Sequence, residues 1–176
     1  LNHKPMDLRQ VLAANAIAPA GPRPKNHVKY FFGREIDRWA ETREAPVLGR
    51  RPTHHDNDMT LANCMLIAGQ ACGAKMDRLA HGILEAHWRD DADLADPETL
   101  LQIGDQLNLD PAPLLEAALT PEVQAAYAQN TSEAIERSVF GSPTYFVDGD
   151  MFYGQDHLEI VERALQRPFA GTWPQD

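Results

Sequence analysis

The stretch Val139–Leu165, VFGSPTYFVDGDMFYGQDHLEIVERAL, leaves the backbone few choices and sets the frame for everything before it. Gly141-Ser142-Pro143-Thr144 is turn chemistry. It feeds Tyr145, Phe146 and Val147, aromatic and β-branched residues that suit a half-buried pleated surface. Asp148-Gly149 supplies the two residues tolerant of φ > 0 that a type I′ turn demands, and Met151, Phe152 and Tyr153 return as a second strand. Gly154-Gln155 ends the hairpin. Asp156, with Glu159 three residues on, has the form of a capping box, and Leu158, Val161 and Leu165 share one face of the helix that follows. The unit is turn, strand, strand, helix.

The chain before this unit reads almost wholly as helix. Leu1–Met6 is expected to be a short strand, and Asp7 to cap a short helix through Leu8, Val11 and Leu12. Pro19, Gly21, Pro22 and Pro24 then block regular structure and make a loop bearing Arg23 and Lys25. Val28, Phe31, Phe32, Ile36 and Trp39 follow the 3.6-residue period, so an amphipathic helix is predicted over 25–43 with its aromatic stripe in the core. His54-His55-Asp56-Asn57-Asp58 leads into a helix through Met59, Met65, Leu66 and Ala71 that Gly73 interrupts or ends. Further helices are predicted over 74–88, from Pro97, over 111–119, and from Thr120-Pro121 to Ser138, with prolines in first turns. The acidic run Asp90–Asp96 reads as a solvated connection. The result is a helical block between two pieces of an α/β framework.

Composition narrows the partners. The 176 residues are one domain's length with enough chain for an ordinary core. A net charge of −10 argues against nucleic acid or an anionic membrane surface as the main partner, and no run of about 18 apolar residues is present to cross a bilayer. Cys64 and Cys72 form no C-x-x-C or metal-ligand spacing, which points to a reducing, cytoplasmic setting with both thiols as small buried hydrophobes. Nor do His54, His55, Asp56 and Asp58 make a metal site, since adjacent side chains diverge.

An X-Pro-Thr turn opening a β-β-α half, after a helical connection, is the plan of the thioredoxin-like fold. The match is closer than that: Val139-Phe140-Gly141-Ser142-Pro143-Thr144, then Val147–Asp156, and the helix Arg34-Glu35-Ile36-Asp37-Arg38-Trp39-Ala40 resemble the 2-hydroxychromene-2-carboxylate isomerases. These belong to the DsbA-like group and are related to kappa-class glutathione transferases. The resemblance implies an α/β, thioredoxin-like fold with a large inserted all-helical subdomain. Residues 1–14 and 138–176 are then the thioredoxin-like domain and 15–137 the helical insertion. The family's thiol-activating serine stands at the end of a first strand that would lie before Leu1. That strand is therefore expected to be missing from this chain, with two strand edges unpaired and no catalytic residue to name.

The resemblance further implies a glutathione-dependent isomerase acting on a small aromatic or keto-acid compound, and it leaves a homodimer open. A kappa-type glutathione transferase, a DsbA-like thiol-disulfide oxidoreductase and a non-enzymatic thiol-binding module stay open as alternatives. For glutathione, it implies a cis Pro143 with the Ser142 main chain as an added rung for the cysteinyl part. Tyr153 would wall the site. Gly154, Gln155 and Asp156 would receive the γ-glutamyl end, or Asp156 would merely cap the helix. For the substrate it implies Arg23, His54 and Asn15: a cation for the carboxylate, an imidazole able to move a proton, and the amide in the family's first half. Asn15 lacks the glycine that precedes the family's asparagine, and Leu12 stands where a related isomerase carries lysine.

Overall fold

Carboxylates start several of the helices. In the computed structural model, which describes residues 1–15, 23–70, 75–171 and 173, Asp7 accepts from the main-chain N–H of Arg9 (3.0 Å) and Gln10 (3.1 Å) and opens α1, Leu8–Ala14. Asp96 does the same for Glu98 and Thr99, both at 3.2 Å, ahead of α6, Pro97–Gln106. Each such oxygen satisfies an N–H that the helix itself cannot, which is worth about 1 kcal/mol. Thr120 Oγ1, 3.4 Å from Val123 N, plays this part for α8, Pro121–Glu136.

By its internal contacts the chain falls into two units, Leu1–Met6 with Pro19–Asn130, and Asp7–Ala18 with Thr131–Asp176. The division that the resemblance implied, 1–14 with 138–176, differs at Leu1–Met6, whose contacts are with the unit of Pro19–Asn130. The first unit is helical. The long helix expected over 25–43 is present as α2, Lys25–Lys29, and α3, Glu35–Thr42, joined by a π turn, Tyr30–Arg34, that contains Gly33, but none of these residues is buried and Phe31 is exposed, so the aromatic stripe is not in the core as expected. Then come α4, Thr60–Gly69; α5, Lys75–Trp88; α6; and α7, Pro111–Ala118. Its core joins Met65, Leu79, Ile83, Leu100 and Ile103 to Cys64, Ala118 and Tyr127. Cys64 is fully buried as expected, with Gln124 Nε2 donating to its sulfur at 3.3 Å, and burial pushes its thiol pKa up. Cys72, Gly73, Pro19, Gly21 and Pro22 lie outside the described residues.

Leu1–Met6 does not form the expected strand. Side chains rather than a neighbouring strand take its carbonyls: Gln70 Nε2 donates to His3 at 2.6 Å and Asn130 Nδ2 to Pro5 at 3.1 Å. A strand needs a ladder partner, which a segment's own sequence cannot supply.

The second unit holds the hairpin. β1, Thr144–Val147, pairs antiparallel with β2, Asp150–Tyr153, in the register Thr144 to Tyr153 through Val147 to Asp150. Asp148 (φ 49°) and Gly149 (φ 91°) make the tight turn that their types require. Among the described residues the sheet is these two strands. The closing helix is α9, Leu158–Gln166, but the expected capping box does not form. A 3₁₀ turn, Gln155–His157, intervenes, and no side chain caps α9. Asp156 is inside that turn, its carboxylate folded back over Gly154.

Candidate functional site

The turn-distal end of the hairpin gathers every residue that the sequence assigned to glutathione. The Ser142–Pro143 bond is cis, as expected. Pro143 C=O accepts from Gly154 N–H at 3.0 Å, which carries the ladder one pair past Tyr153. Ser142 is exposed, and among the described residues its main-chain N–H and C=O meet no protein partner. Beside it Thr144 Oγ1 donates to Gly141 C=O at 2.8 Å and pins the bend.

The outer end of the Tyr153 ring lies against buried Gly141. A Cβ there would sit 2.8 Å from Cζ and 3.0 Å from the hydroxyl of Tyr153, so a larger residue would push the ring aside. On its other side Tyr153 packs on Phe140 with centroids 4.9 Å apart. The tyrosine is thus half-exposed and packed beside the residue that precedes Ser142. Gly154 turns the chain at φ 104° and ψ 145°, bordering the region that only glycine occupies readily. His157, which the sequence reading did not single out, closes the group: its Nδ1 is 2.5 Å from the Tyr153 carbonyl oxygen and 3.7 Å from Asp156 Oδ1. The sequence signal for it was a histidine four residues after Tyr153, adjacent to Asp156.

A cavity of about 80 Å³ opens at the opposite end of the hairpin, lined by Val147, Asp148, Asp150, Phe152 and Phe169. It lies at the Asp148-Gly149 turn, apart from Ser142.

Of the residues expected to serve the substrate, Asn15 belongs to the unit of the hairpin. Asn15 has both amide hydrogens engaged, donating to Val11 C=O at 3.1 Å and to Val139 C=O at 2.7 Å, so it ties the end of α1 to the segment that leads into Ser142. Arg23 is exposed and belongs, with His54, to the other unit. His54 Nδ1 lies 3.5 Å from Asp93 Oδ2, an ion pair when the ring is protonated.

Around His54 the structure overturns the reading of Asp90–Asp96 as a merely solvated connection. Asp91 accepts from Arg50 (2.6 Å), from Thr53 N–H (2.7 Å) and from Thr53 Oγ1 (2.7 Å), and these bonds hold its carboxyl well below the usual carboxylate range. Asp93 accepts from Asn57 at 2.9 Å. The two carboxylates fasten residues 50–57 in place. Behind them His55 Nδ1 and His87 Nε2 are 3.0 Å apart, and His87 Nδ1 faces the Ala92 carbonyl at 3.4 Å. Phe32 and Trp88 flank this pair, each 5.2 Å from the His55 ring.

Burial pushes the His87 imidazole pKa below its ordinary 6.5, only partly opposed by the Ala92 carbonyl and by Asp91 and Asp93. An unfolded chain therefore binds this proton more readily than the native one, so stability rises with pH across the gap. The contribution is complete above about pH 6.5 and is lost as pH falls from there towards the lower native value. Thermal unfolding between pH 7.5 and 5 is expected to show this loss before the carboxylates titrate, and His87→Gln is expected to flatten that slope.

The chain belongs to the DSBA-like thioredoxin domain family, whose model matches residues 1–166. Among curated proteins it is similar to the 2-hydroxychromene-2-carboxylate isomerase of Sphingobium xenophagum, 26% identical over 166 residues, which span 94% of this chain and 82% of that enzyme. It is also similar to the enzyme of the same name from Pseudomonas sp. (strain C18), 27% identical over 153 residues, covering 85% of this chain and 69% of that one. A solved structure of a 2-hydroxychromene-2-carboxylate isomerase shares the fold, with a TM-score of 0.74 and 22% identity over 92% of this chain and 77% of that chain. The fold is thus the DsbA-like thioredoxin fold, rich in helix, with a small two-stranded sheet here.

Proposed function

We propose that the chain is a glutathione-dependent isomerase of the 2-hydroxychromene-2-carboxylate type, acting on a small aromatic or keto-acid compound. The observation that carries this reading is the juxtaposition, within one unit, of exposed Ser142, whose main chain meets no partner among the described residues, with the Gly154–Asp156 turn. Relatives of that name along most of the chain support it.

Glutathione fits these residues. A peptide-like ligand takes an extended main chain as one more rung, so Ser142 N–H and C=O would hold its cysteinyl part. The Asp156 carboxylate, half-exposed, would receive the γ-glutamyl ammonium through a charge-assisted bond. Tyr153 would cover the apolar side of the ligand and keep water from one face. Bound glutathione would supply a thiolate nucleophile for a double bond that must rotate. Exposed Arg23 is the proposed partner for the substrate carboxylate, since a guanidinium pairs with such groups in a fixed fork. Asn15 acts from behind, by anchoring Val139. The thiol chemistry is not the chain's own at Cys64, which is buried with a raised pKa.

Calorimetric titration with glutathione, followed by an absorbance assay of 2-hydroxychromene-2-carboxylate with and without the thiol, tests the proposal. Saturable binding and glutathione-dependent isomerisation without net thiol loss are expected. Failure to bind glutathione would overturn the reading, and stoichiometric thiol consumption would replace it with a transferase.

A further inference from the structure

We propose that His157 is a positioning residue that holds the Asp156 carboxylate ready for an α-ammonium group, and so makes the site select γ-glutamyl thiols over thiols lacking that amine. This rests on the glutathione reading above and extends it to a residue and a selectivity.

The argument starts from the ladder. Gly154 N–H donates to Pro143 C=O, so positions 143 and 154 form a hydrogen-bonded pair, one-sided because proline has no N–H. Hydrogen-bonded and non-bonded pairs alternate along an antiparallel ladder, which makes Thr144 and Tyr153 a non-bonded pair. The Tyr153 carbonyl therefore points away from β1, off the edge of the sheet. His157 Nδ1 meets it at 2.5 Å. A carbonyl oxygen only accepts, so Nδ1 carries the proton, and in the neutral ring Nε2 bears the lone pair. One side-chain bond thus ties the 3₁₀ turn back to the end of β2 across the glycine that lets the chain reverse.

Asp156 is caught inside that loop. Its Oδ1 is 3.7 Å from the same Nδ1, and its carboxylate lies over the Gly154 Cα, where a Cβ would be 3.5 Å from Cγ and closer still to Oδ1. Besides the ring, the turn is held by Gly154 N–H to Pro143 and by a long bond, 3.4 Å, from His157 N–H to Gly154 C=O. Without the imidazole the turn loses its side-chain tie to the end of β2, and the backbone that carries the carboxylate is held less firmly. Both side chains are half-exposed, 49% each, so the carboxylate is open to a ligand while its backbone is held. A carboxylate kept in one orientation costs a ligand less ordering on binding, and an ammonium is the partner that gains from it. A des-amino thiol gains nothing.

The test uses the full chain and two probes, glutathione and its des-amino analogue glutaryl-cysteinylglycine, titrated into wild type, His157→Ala and His157→Asn. The asparagine amide places an N–H near the position of Nδ1. Wild type is expected to prefer glutathione by about tenfold, the scale of one charged hydrogen bond. His157→Ala is expected to lose most of that preference by weakening glutathione alone, while His157→Asn restores it. Imidazole ¹⁵N shifts are expected to show His157 with its proton on Nδ1. Equal glutathione binding by wild type and His157→Ala, or equal loss of both probes in His157→Ala, would overturn the selectivity role while leaving the glutathione reading intact. No glutathione binding by wild type would overturn both.

Discussion

Gly154→Ala is expected to destabilise the protein by about 1–3 kcal/mol and to weaken glutathione binding at the same time. Two effects act at this position. An alanine must adopt φ 104°, ψ 145°, a conformation that L side chains rarely enter, and its Cβ falls within van der Waals reach of the Asp156 carboxylate and 3.4 Å from His157 Nδ1. The entropy gained by restricting the unfolded chain, about 0.4–1 kcal/mol, is smaller than the strain. The carboxylate has to move, and the group proposed to receive the ligand's ammonium moves with it. Gly149→Ala separates the two effects, because Gly149 also has positive φ (91°) but nothing within 4 Å of its Cβ position. Thermal unfolding should register both variants, whereas a glutathione titration should register Gly154→Ala only. Wild-type affinity in Gly154→Ala would remove Asp156 from the site.

Gly104→Ala is expected to lower stability by about 1–2 kcal/mol, although it places a better helix former within a helix. The propensity gain is about 1 kcal/mol. Against it stands Pro111, whose ring lies against the Gly104 Cα: a Cβ would be 3.1 Å from Pro111 Cγ, 3.4 Å from its Cα, and nearer still to its Cβ. A proline ring cannot rotate aside, and Pro111 is buried at the start of α7. The Gly104 carbonyl also takes Leu107 N–H at 3.1 Å and Leu109 N–H at 3.0 Å, so α6 cannot slide without breaking the turn to α7. Overpacking of this kind typically costs about 1–3 kcal/mol, more than the propensity gained. For a chain of this length each kcal/mol moves the unfolding midpoint by about 2–4 °C. Gly33→Ala, with nothing within 4 Å of its Cβ position, provides the opposite sign: the midpoint should hold or rise.

What was legible in the sequence is what local rules decide. The Asp148-Gly149 turn, the strands around it and the helix starts at Asp7, Pro97 and Pro111 depend on backbone preferences of a few neighbouring residues, and each is where the sequence placed it. The grouping of Ser142, Pro143, Tyr153 and Gly154–Asp156 was legible for the same reason, since a two-residue hairpin brings its ends together whatever the rest of the chain does. Asp156 shows the limit: its spacing to Glu159 matches a capping box, yet Gly154 starts a 3₁₀ turn that puts the carboxylate elsewhere.

Only the tertiary structure decided the rest, because it depends on which distant groups meet. Leu1–Met6 reads as a short strand, but Gln70 and Asn130 side chains take two of its carbonyls. A run of aspartates reads as solvated until Arg50, Thr53 and Asn57 arrive from about 40 residues away to use Asp91 and Asp93. That the Asn15 amide donates to the Val139 carbonyl is likewise invisible in the sequence. Sequence alone determined the hairpin and the residues at its open end. The fold decided that Tyr153 offers its ring to Gly141 and its carbonyl to His157, because ladder alternation and side-chain reach settle that only once the strands are paired.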